Sequence, residues 1–162
     1  MSPDEALEEL VSGDLHRFVD WPNKGVPKVA AGVYSIWMAD QLVYVGMYGR
    51  SATEEKLVAA RAKKKASGLR TRLASHWKGR RSGDQFVVYV ADRLVLPTLS
   101  DEQLDGIVSG EHAMDVFCRT FIHEKMSYRY ACVASGATAL AVENLARAGK
   151  LGAFPLLNPL KD

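Results

Sequence analysis

Two short apolar segments, 32–38 and 41–46, form the most informative pattern in the chain. Their sequences, GVYSIWM and QLVYVG, are rich in valine, isoleucine, tyrosine and tryptophan, which pleated strands favour. The pattern predicts a β-hairpin with a tyrosine in each strand. Because both faces are apolar, the hairpin is expected to be packed between other elements and not to lie on the surface.

The length of the turn decides where the two tyrosines point. If Trp37 pairs with Gln41 across a three-residue loop, Tyr34 lies opposite Tyr44 on one face of the hairpin. A two-residue loop sends the tyrosines to opposite faces, because side chains alternate along a strand. The sequence leaves the loop length open and slightly favours three residues. That register puts Ile36, Met38 and Leu42 on the tyrosine face and Val33, Trp37, Val43 and Val45 on the other.

Helical periodicity and capping residues predict most of the remaining elements. Ser2 and Thr53 are expected to cap two helices that carry acidic residues in their first turns. The predicted helices follow Ser2 and cover 54–66, 69–78, 100–123 with a break near 109–110, and 137–148. Further strands are predicted over 86–91 and 128–133.

Length and composition indicate one globular domain. The chain has 162 residues, of which 48% are hydrophobic and 25% charged, as in ordinary globular proteins. No apolar run approaches the ~20 residues of a membrane span, and the acidic N-terminal sequence lacks the order of a signal peptide. We therefore expect a cytoplasmic protein with no membrane partner, in which Cys118 and Cys132 stay reduced.

Positive charge is concentrated in one segment. The stretch from Arg61 to Arg81 contains nine of the 21 basic residues and none of the 19 acidic ones. Such polarity indicates a local anionic partner. The competing interpretation is a solvated helix face.

A small set of polar residues offers the parts needed to hydrolyse a phosphodiester. The reaction requires a base for the attacking water, positive charge for the charge that develops on phosphorus, and stabilisation of the leaving alkoxide. A carboxylate is the oxygen ligand that a divalent cation prefers, and the planar fork of arginine suits phosphate. Each residue taken singly also has an ordinary structural role. The candidates are Tyr34, Tyr44, Arg72, His76, Glu143 and Asn158.

The order of these residues gives the chain a resemblance to the GIY-YIG nuclease family. GVY at 32–34 and YVG at 44–46 resemble the two parts of the family signature. The segment LRTRLASHW at 69–77 is similar to the family's first characteristic helix, with Arg72 at the catalytic arginine. His76 matches a histidine that a subset of the family carries.

The second half of the chain continues the resemblance. YRYACV followed by ASGATALAVENLARAG resembles the last core strand and the helix with the metal-binding glutamate, here Glu143. PLLNPL is similar to the terminal asparagine motif, with Asn158 in place. The chain departs from a minimal family core in three segments. They are an N-terminal extension over 1–31, an inserted basic helix over 51–67, and an extra strand and helices over 84–127.

The resemblance implies a single α+β domain over 1–162, with a small, mainly antiparallel sheet flanked by helices. The strand predicted over 86–91 would be an additional strand at an edge of this sheet. The resemblance also implies a metal-dependent endonuclease that hydrolyses DNA. Glu143 would bind one Mg²⁺ or Mn²⁺, and Arg72 would neutralise the charge of the transition state. Asn158 would fix local structure or a phosphate.

The same resemblance makes Tyr34 the general base or the group that orients the attacking water, with Tyr44 and His76 as close partners. A free tyrosine has a pKa of ~10, so Tyr34 needs a group that lowers its pKa or accepts its proton. Arg72, the metal ion and His76 are the candidates for that group, and His76 is also the alternative base. This mechanism requires both tyrosines on one face of the hairpin.

The implied partner is DNA, with single and double strands both open and RNA not excluded, bound by a monomer or a weak dimer. The alternatives are a catalytically weak or inactive nucleic-acid-binding module on the same fold and an interaction protein with a fortuitous resemblance. The residues expected to contact nucleic acid are Tyr48, Arg50, Arg61, Lys63, Lys64, Lys65, Arg70, Lys78, Arg80 and Arg81.

Overall fold

A five-stranded, mostly antiparallel sheet with helices on both faces forms the centre of this α+β protein. The computed structural model describes residues 1–63 and 66–159. The strands are β1 (His16–Arg17), β2 (Val29–Met38), β3 (Gln41–Tyr48), β4 (Ser67–Gly68) and β5 (Ser127–Val133). The α-helices are α1 (Pro3–Ser12), α2 (Glu54–Ala62), α3 (Leu69–Lys78), α4 (Gln85–Val90), α5 (Asp101–Ser109), α6 (Met114–Lys125) and α7 (Gly136–Leu145).

Strand β2 is the central strand, and almost all of it is buried. The sheet order is β1-β5-β2-β3, with β4 parallel to the start of β2. Helices α3, α4 and α6 cover the face that carries Tyr34, while α1, α2 and α7 cover the opposite face. The predicted burial of the hairpin between two layers is therefore confirmed.

The hairpin turns over two residues, Ala39 and Asp40, so the predicted three-residue loop is wrong. Met38 pairs with Gln41 across this turn. Ala39 has a positive φ of 50°, which is uncommon for a residue with a Cβ. A two-residue turn alone would send the two tyrosines to opposite faces of the sheet.

A bulge at Val43 reverses the effect of the short turn. Trp37 pairs with Leu42, whereas Ile36 pairs with Tyr44. Val43 is thus an extra residue in β3 with no partner in β2, which is the definition of a β-bulge. The extra residue shifts the alternation of β3 by one position.

The predicted shared face of Tyr34 and Tyr44 is therefore confirmed, although Tyr34 pairs with Gly46 and not with Tyr44. The assignment of two neighbouring residues to faces is wrong for the same reason. Leu42 packs in the core on the face away from the tyrosines, and Val43 packs on the tyrosine face.

The segment 86–91 is not an edge strand but lies in a helix. This helix, α4, begins after Asp84, whose Oδ1 accepts a hydrogen bond from Phe86 N at 3.2 Å. It continues through a π-helical turn over Ala91–Val95. A short apolar run in a buried helix has the same hydrophobic pattern as a buried strand. Its buried side chains follow helical spacing: Phe86, Val87, Val90 and Ala91.

The other helix and strand predictions are confirmed, with small differences at the ends. Ser2 and Thr53 cap α1 and α2, and α3 has the predicted bounds. Helix α2 ends at Ala62, before the predicted 66. The break near 109–110 lies between α5 and α6. Among the described residues no helix is sufficiently long and apolar to span a membrane.

Candidate active site

Four of the predicted site residues form one cluster on the tyrosine face of the sheet. Tyr34 lies in β2, Tyr44 in β3, and Arg72 and His76 lie one turn apart on α3. The ring centroids are 6.4 Å apart for the two tyrosines, 5.3 Å for Tyr34 and His76, and 6.3 Å for Tyr44 and His76. Helix α3 packs its leucines against the sheet, and this packing brings its polar residues to the hairpin.

A chain of hydrogen bonds runs through the cluster. Tyr34 Oη lies 2.7 Å from His76 Nε2, and His76 Nδ1 lies 2.7 Å from Asp84 Oδ2. Asp84 was not among the predicted site residues. Its signal in the sequence is that of a helix N-cap, which becomes visible only if the apolar segment after it is interpreted as a helix and not as a strand.

The three hydrogen-bonded side chains are closed to solvent, while the neighbouring side chains of the cluster are partly exposed. Tyr34 and His76 are 0% exposed and Asp84 is 1% exposed. Arg72 and Tyr44 are half-buried. Arg72 and Tyr44 are therefore the members of the cluster that solvent reaches, and the hydrogen-bonded chain is closed off from it.

Phe86 forms the inner wall of the cluster. Its ring centroid lies 4.6 Å from that of His76 and 5.1 Å from that of Tyr44. Phe86 is buried and follows Asp84 by two residues, so α4 supplies both an apolar wall and a carboxylate. The helix that sequence reasoning missed is thus part of the site.

Burial lowers the pKa of His76, and the hydrogen bond and charge of Asp84 oppose this shift. For Asp84, burial would raise the pKa, but the hydrogen bond and charge of His76 lower it below its ordinary value. At neutral pH the pair is therefore a neutral imidazole beside an ionised carboxylate. Burial would lower the pKa of Arg72, but Tyr34 and Asp84 raise it, so the guanidinium stays charged and balances the carboxylate.

Burial raises the pKa of Tyr34 well above its ordinary value, and repulsion from Tyr44 in its ionised form adds to this, while Arg72 opposes it. Burial also raises the pKa of Tyr44; Arg72 opposes the shift and the charge of Glu143 adds to it. Both phenols are therefore protonated at neutral pH. Tyr34 can act as a base only if it gives up its own proton in the same step.

Glu143 lies on α7, and its charge contributes to the raised pKa of Tyr44. The described part of the chain contains no group of three or more His, Cys, Asp or Glu side chains that could hold a metal ion. Asp84 is buried against His76, so Glu143 is the carboxylate suited to a metal ion, and a single carboxylate does not suit an ion that needs a full set of protein ligands. It fits Mg²⁺, which keeps several waters and is usually held by one or two carboxylates together with substrate phosphates.

Gly46 pairs with Tyr34 in the hairpin and leaves space for the tyrosine side chain. A Cβ on Gly46 would overlap Tyr34 Oη and would lie 2.5 Å from Tyr34 Cζ and 3.0 Å from Tyr44 Cε1. The last residue of the YVG sequence therefore has to be glycine for the two phenols to keep these positions.

Asn158 makes structural contacts beside the cluster. Its Oδ1 accepts from Val45 N at 2.7 Å, and its Nδ2 donates to Val45 O at 2.8 Å. Leu156 N and Leu157 N also donate to carbonyl oxygens of β3. The C-terminal segment is thus fastened along β3 next to Tyr44. Of the two predicted roles, the fixing of local structure is the one these contacts show.

We expect Asn158→Ala to lower the free energy of unfolding by about 3 kcal/mol, because two buried backbone groups of Val45 lose their partners. Urea unfolding followed by tryptophan fluorescence measures the change. Pro159→Ala is the control, since Pro159 is exposed in the same segment. An unchanged midpoint for Asn158→Ala would show that water replaces the amide without cost.

The residues predicted to contact nucleic acid fall into different environments. Tyr48 and Arg50 line a cleft of about 400 Å³ at the end of β3, with Lys56 from α2. Alternation along β3 puts Tyr48 on the same face as Tyr44. Arg61 lines a separate cleft beside the start of β2. Three further predicted residues are exposed: Lys63, Lys78 and Arg80.

Two of the predicted arginines are engaged in contacts within the protein. Arg70 Nη1 donates to Asn23 O at 3.2 Å and to Val26 O at 2.9 Å. Arg81 Nε donates to Asp115 Oδ1 at 2.8 Å. Arg70 therefore holds the loop before β2, and Arg81 pairs with α6. Lys64 and Lys65 lie outside the described residues.

Comparisons of the chain with protein-family models, with curated proteins and with solved structures give no match. The function therefore has to be inferred from the side chains of the site and their geometry.

Proposed function

We propose that this protein is a metal-dependent endonuclease of the GIY-YIG type that hydrolyses phosphodiester bonds in DNA. One observation carries the proposal. Tyr34, Tyr44, Arg72 and His76, which the resemblance assigns to a nuclease site, meet around one hydrogen bond, and the charge of Glu143 acts on the same cluster. These residues come from four separate elements, so their meeting does not follow from local sequence.

Arg72 and Glu143 are the groups suited to the phosphate. Arg72 is charged and half-buried beside Tyr34, where its planar fork can hold two phosphate oxygens. Glu143 would hold the Mg²⁺ or Mn²⁺ ion. When bound, such an ion acts as a Lewis acid that polarises the phosphate and stabilises the leaving oxygen. Arg72 and an ion held by Glu143 would together supply positive charge to the phosphate.

Tyr34 and His76 would act together as the base. His76 lies behind Tyr34, with Nε2 2.7 Å from Tyr34 Oη. The attacking water gives its proton to Tyr34 Oη as Tyr34 passes its own proton to His76 Nε2. Tyr34 is 0% exposed in the free protein, so the Arg72 and Tyr44 side chains have to move on substrate binding and admit a water molecule.

The surface suited to the DNA backbone extends from the cluster along two directions. Tyr48, Arg50 and Lys56 line the cleft at the end of β3, and Lys78 and Arg80 follow the end of α3. Backbone contacts of this kind release counterions, so the affinity should fall steeply with salt.

A nucleic-acid-binding module without turnover is the second candidate. The burial of Tyr34 and His76 favours it, because a base that is closed to water cannot act unless the site opens. The two candidates share the basic surface and differ only in cleavage.

The deciding experiment incubates the protein with supercoiled plasmid, single-stranded DNA and RNA of the same sequence, each with Mg²⁺, Mn²⁺ or EDTA. We expect cleavage of DNA with either metal and none with EDTA. Gel shifts at several salt concentrations measure binding in parallel. Binding without cleavage under any metal would favour the second candidate, and a lack of binding would contradict both.

A further inference from the structure

We propose that Asp84 is a positioning residue of this site, which holds His76 in the Nδ1–H tautomer so that Nε2 can accept the proton of Tyr34. The inference rests on the proposed nuclease function and assigns a role to a residue that the resemblance does not name. With Asp84 in this role, Tyr34 faces the substrate and His76 lies behind it as the acceptor of the tyrosine proton.

Each oxygen of the Asp84 carboxylate has a hydrogen-bond partner. Oδ2 lies 2.7 Å from His76 Nδ1, while Oδ1 accepts from Phe86 N at 3.2 Å at the start of α4. An ionised carboxylate only accepts hydrogen bonds, so the proton of the shared contact belongs to Nδ1. The helix start fixes the rotation of the carboxylate, and the carboxylate fixes the imidazole.

Burial makes this contact decisive. Asp84 and His76 are 1% and 0% exposed, and Phe86 packs its ring against the imidazole. Water cannot replace the carboxylate at Nδ1 in such a place. Without Asp84 the imidazole is free to carry its proton on Nε2, where it would donate to Tyr34 Oη and leave no acceptor for the tyrosine proton.

The charges around His76 suit a temporary imidazolium. The ionisable groups that face the ring are Tyr34 from β2, Tyr44 from β3, Arg72 from its own helix, and Asp84. Of these four groups, Asp84 is the one that is negative at neutral pH. It therefore stabilises the imidazolium that forms when the Tyr34 proton arrives, and it opposes the effect of the Arg72 charge.

The proton transfers balance without a further reactant. The water oxygen bonds to phosphorus as its proton moves to Tyr34 Oη, and the Tyr34 proton moves to His76 Nε2. The bond from phosphorus to the 3′ oxygen breaks, and that oxygen takes a proton from solvent. His76 then returns its proton through Tyr34 to solvent, and Asp84 stays ionised throughout.

Asp84→Asn tests the proposal, because asparagine keeps the size and the capping ability of aspartate but can turn its amide N–H toward Nδ1. Nitrogen-15 NMR of the histidine rings reports the tautomer directly. We expect Nδ1–H for His76 in the wild type and Nε2–H in the variant. Asp115→Asn is the matched control, because Asp115 pairs with Arg81 on the surface and should leave the His76 spectrum unchanged.

Kinetics supply the second readout. We expect kcat of Asp84→Asn to fall about 10⁴-fold, as for the aspartate of hydrolytic triads, with KM within about threefold of the wild type, since Asp84 does not touch substrate. The acidic limb of the kcat profile reports protonation of His76. It should move to lower pH in the variant, because the carboxylate that opposes the low pKa of His76 is gone.

Some results would overturn the role of Asp84. They are an Nε2–H tautomer or an imidazolium for His76 in the wild type at pH 7, or an Asp84→Asn variant that cleaves like the wild type. The wild-type spectrum decides even if the variant does not fold. If the wild type cleaves no nucleic acid, the proposed function fails, whereas the NMR result still decides whether Asp84 sets the tautomer.

Discussion

Glu143→Gln should abolish most cleavage, with a fall in kcat/KM of about 10³-fold, equivalent to ~4 kcal/mol. Glutamine keeps the shape of the side chain but removes the charge that a divalent cation requires. Glu143 lies on α7, and its charge contributes to the raised pKa of Tyr44, a residue of the cluster. Initial rates of plasmid relaxation over a series of Mg²⁺ and Mn²⁺ concentrations measure the effect.

Glu124→Gln is the matched control for this experiment, because Glu124 is exposed on α6 away from the sheet. DNA affinity measured with EDTA should be the same for the wild type and for both variants. Metal-dependent cleavage by Glu143→Gln at the wild-type rate would contradict the assignment of Glu143. If a high metal concentration restores the rate of Glu143→Gln, the result would instead support the assignment, because a site that binds the ion more weakly is still filled at a high concentration of the ion.

Arg72→Ala is expected to lower kcat by about 10³-fold and to change DNA affinity by less than tenfold. The reason is that a charge held beside the reacting phosphate stabilises the transition state more than the bound substrate. Arg72→Lys keeps the charge but loses the planar fork, so we expect a fall of about 10²-fold. Single-turnover cleavage with saturating protein separates this effect from binding.

Arg80→Ala provides the comparison, because Arg80 is an exposed arginine close to the end of the same helix. It should weaken binding, lower the slope of log affinity against log salt by about one, and leave kcat unchanged. Equal losses of kcat in Arg72→Ala and Arg80→Ala would mean that Arg72 acts only as part of the basic surface. Urea unfolding of Arg72→Ala shows whether loss of the charge near Asp84 also affects the fold.

The helix that carries Arg72 and His76 could be predicted to the residue. Leu69 and Leu73 recur at helical spacing, and glycines stand on both sides of α3. The caps of α1 and α2 were predictable for the same reason, because a cap involves residues three positions apart. Elements whose signals lie within one or two helical turns can therefore be predicted from the sequence.

The register of the hairpin could not be predicted from such local signals. Its strands were predictable from composition, but the two-residue turn and the bulge at Val43 were not. Either change alone would separate Tyr34 from Tyr44, and only together do they restore a common face. The bulge depends on how Leu42 and Val43 pack into the two cores on either side of the sheet.

By itself the sequence determined the α+β class, the extent of α3, the strands of the hairpin and the identity of the residues with chemistry to offer. The tertiary structure alone decided that Asp84 starts a helix and completes a hydrogen-bonded chain with His76 and Tyr34. Local preferences depend on near neighbours, whereas Tyr34 and His76 are 42 positions apart and Asn158 and Val45 are 113 apart. Contacts over such separations exist only once the whole core has packed.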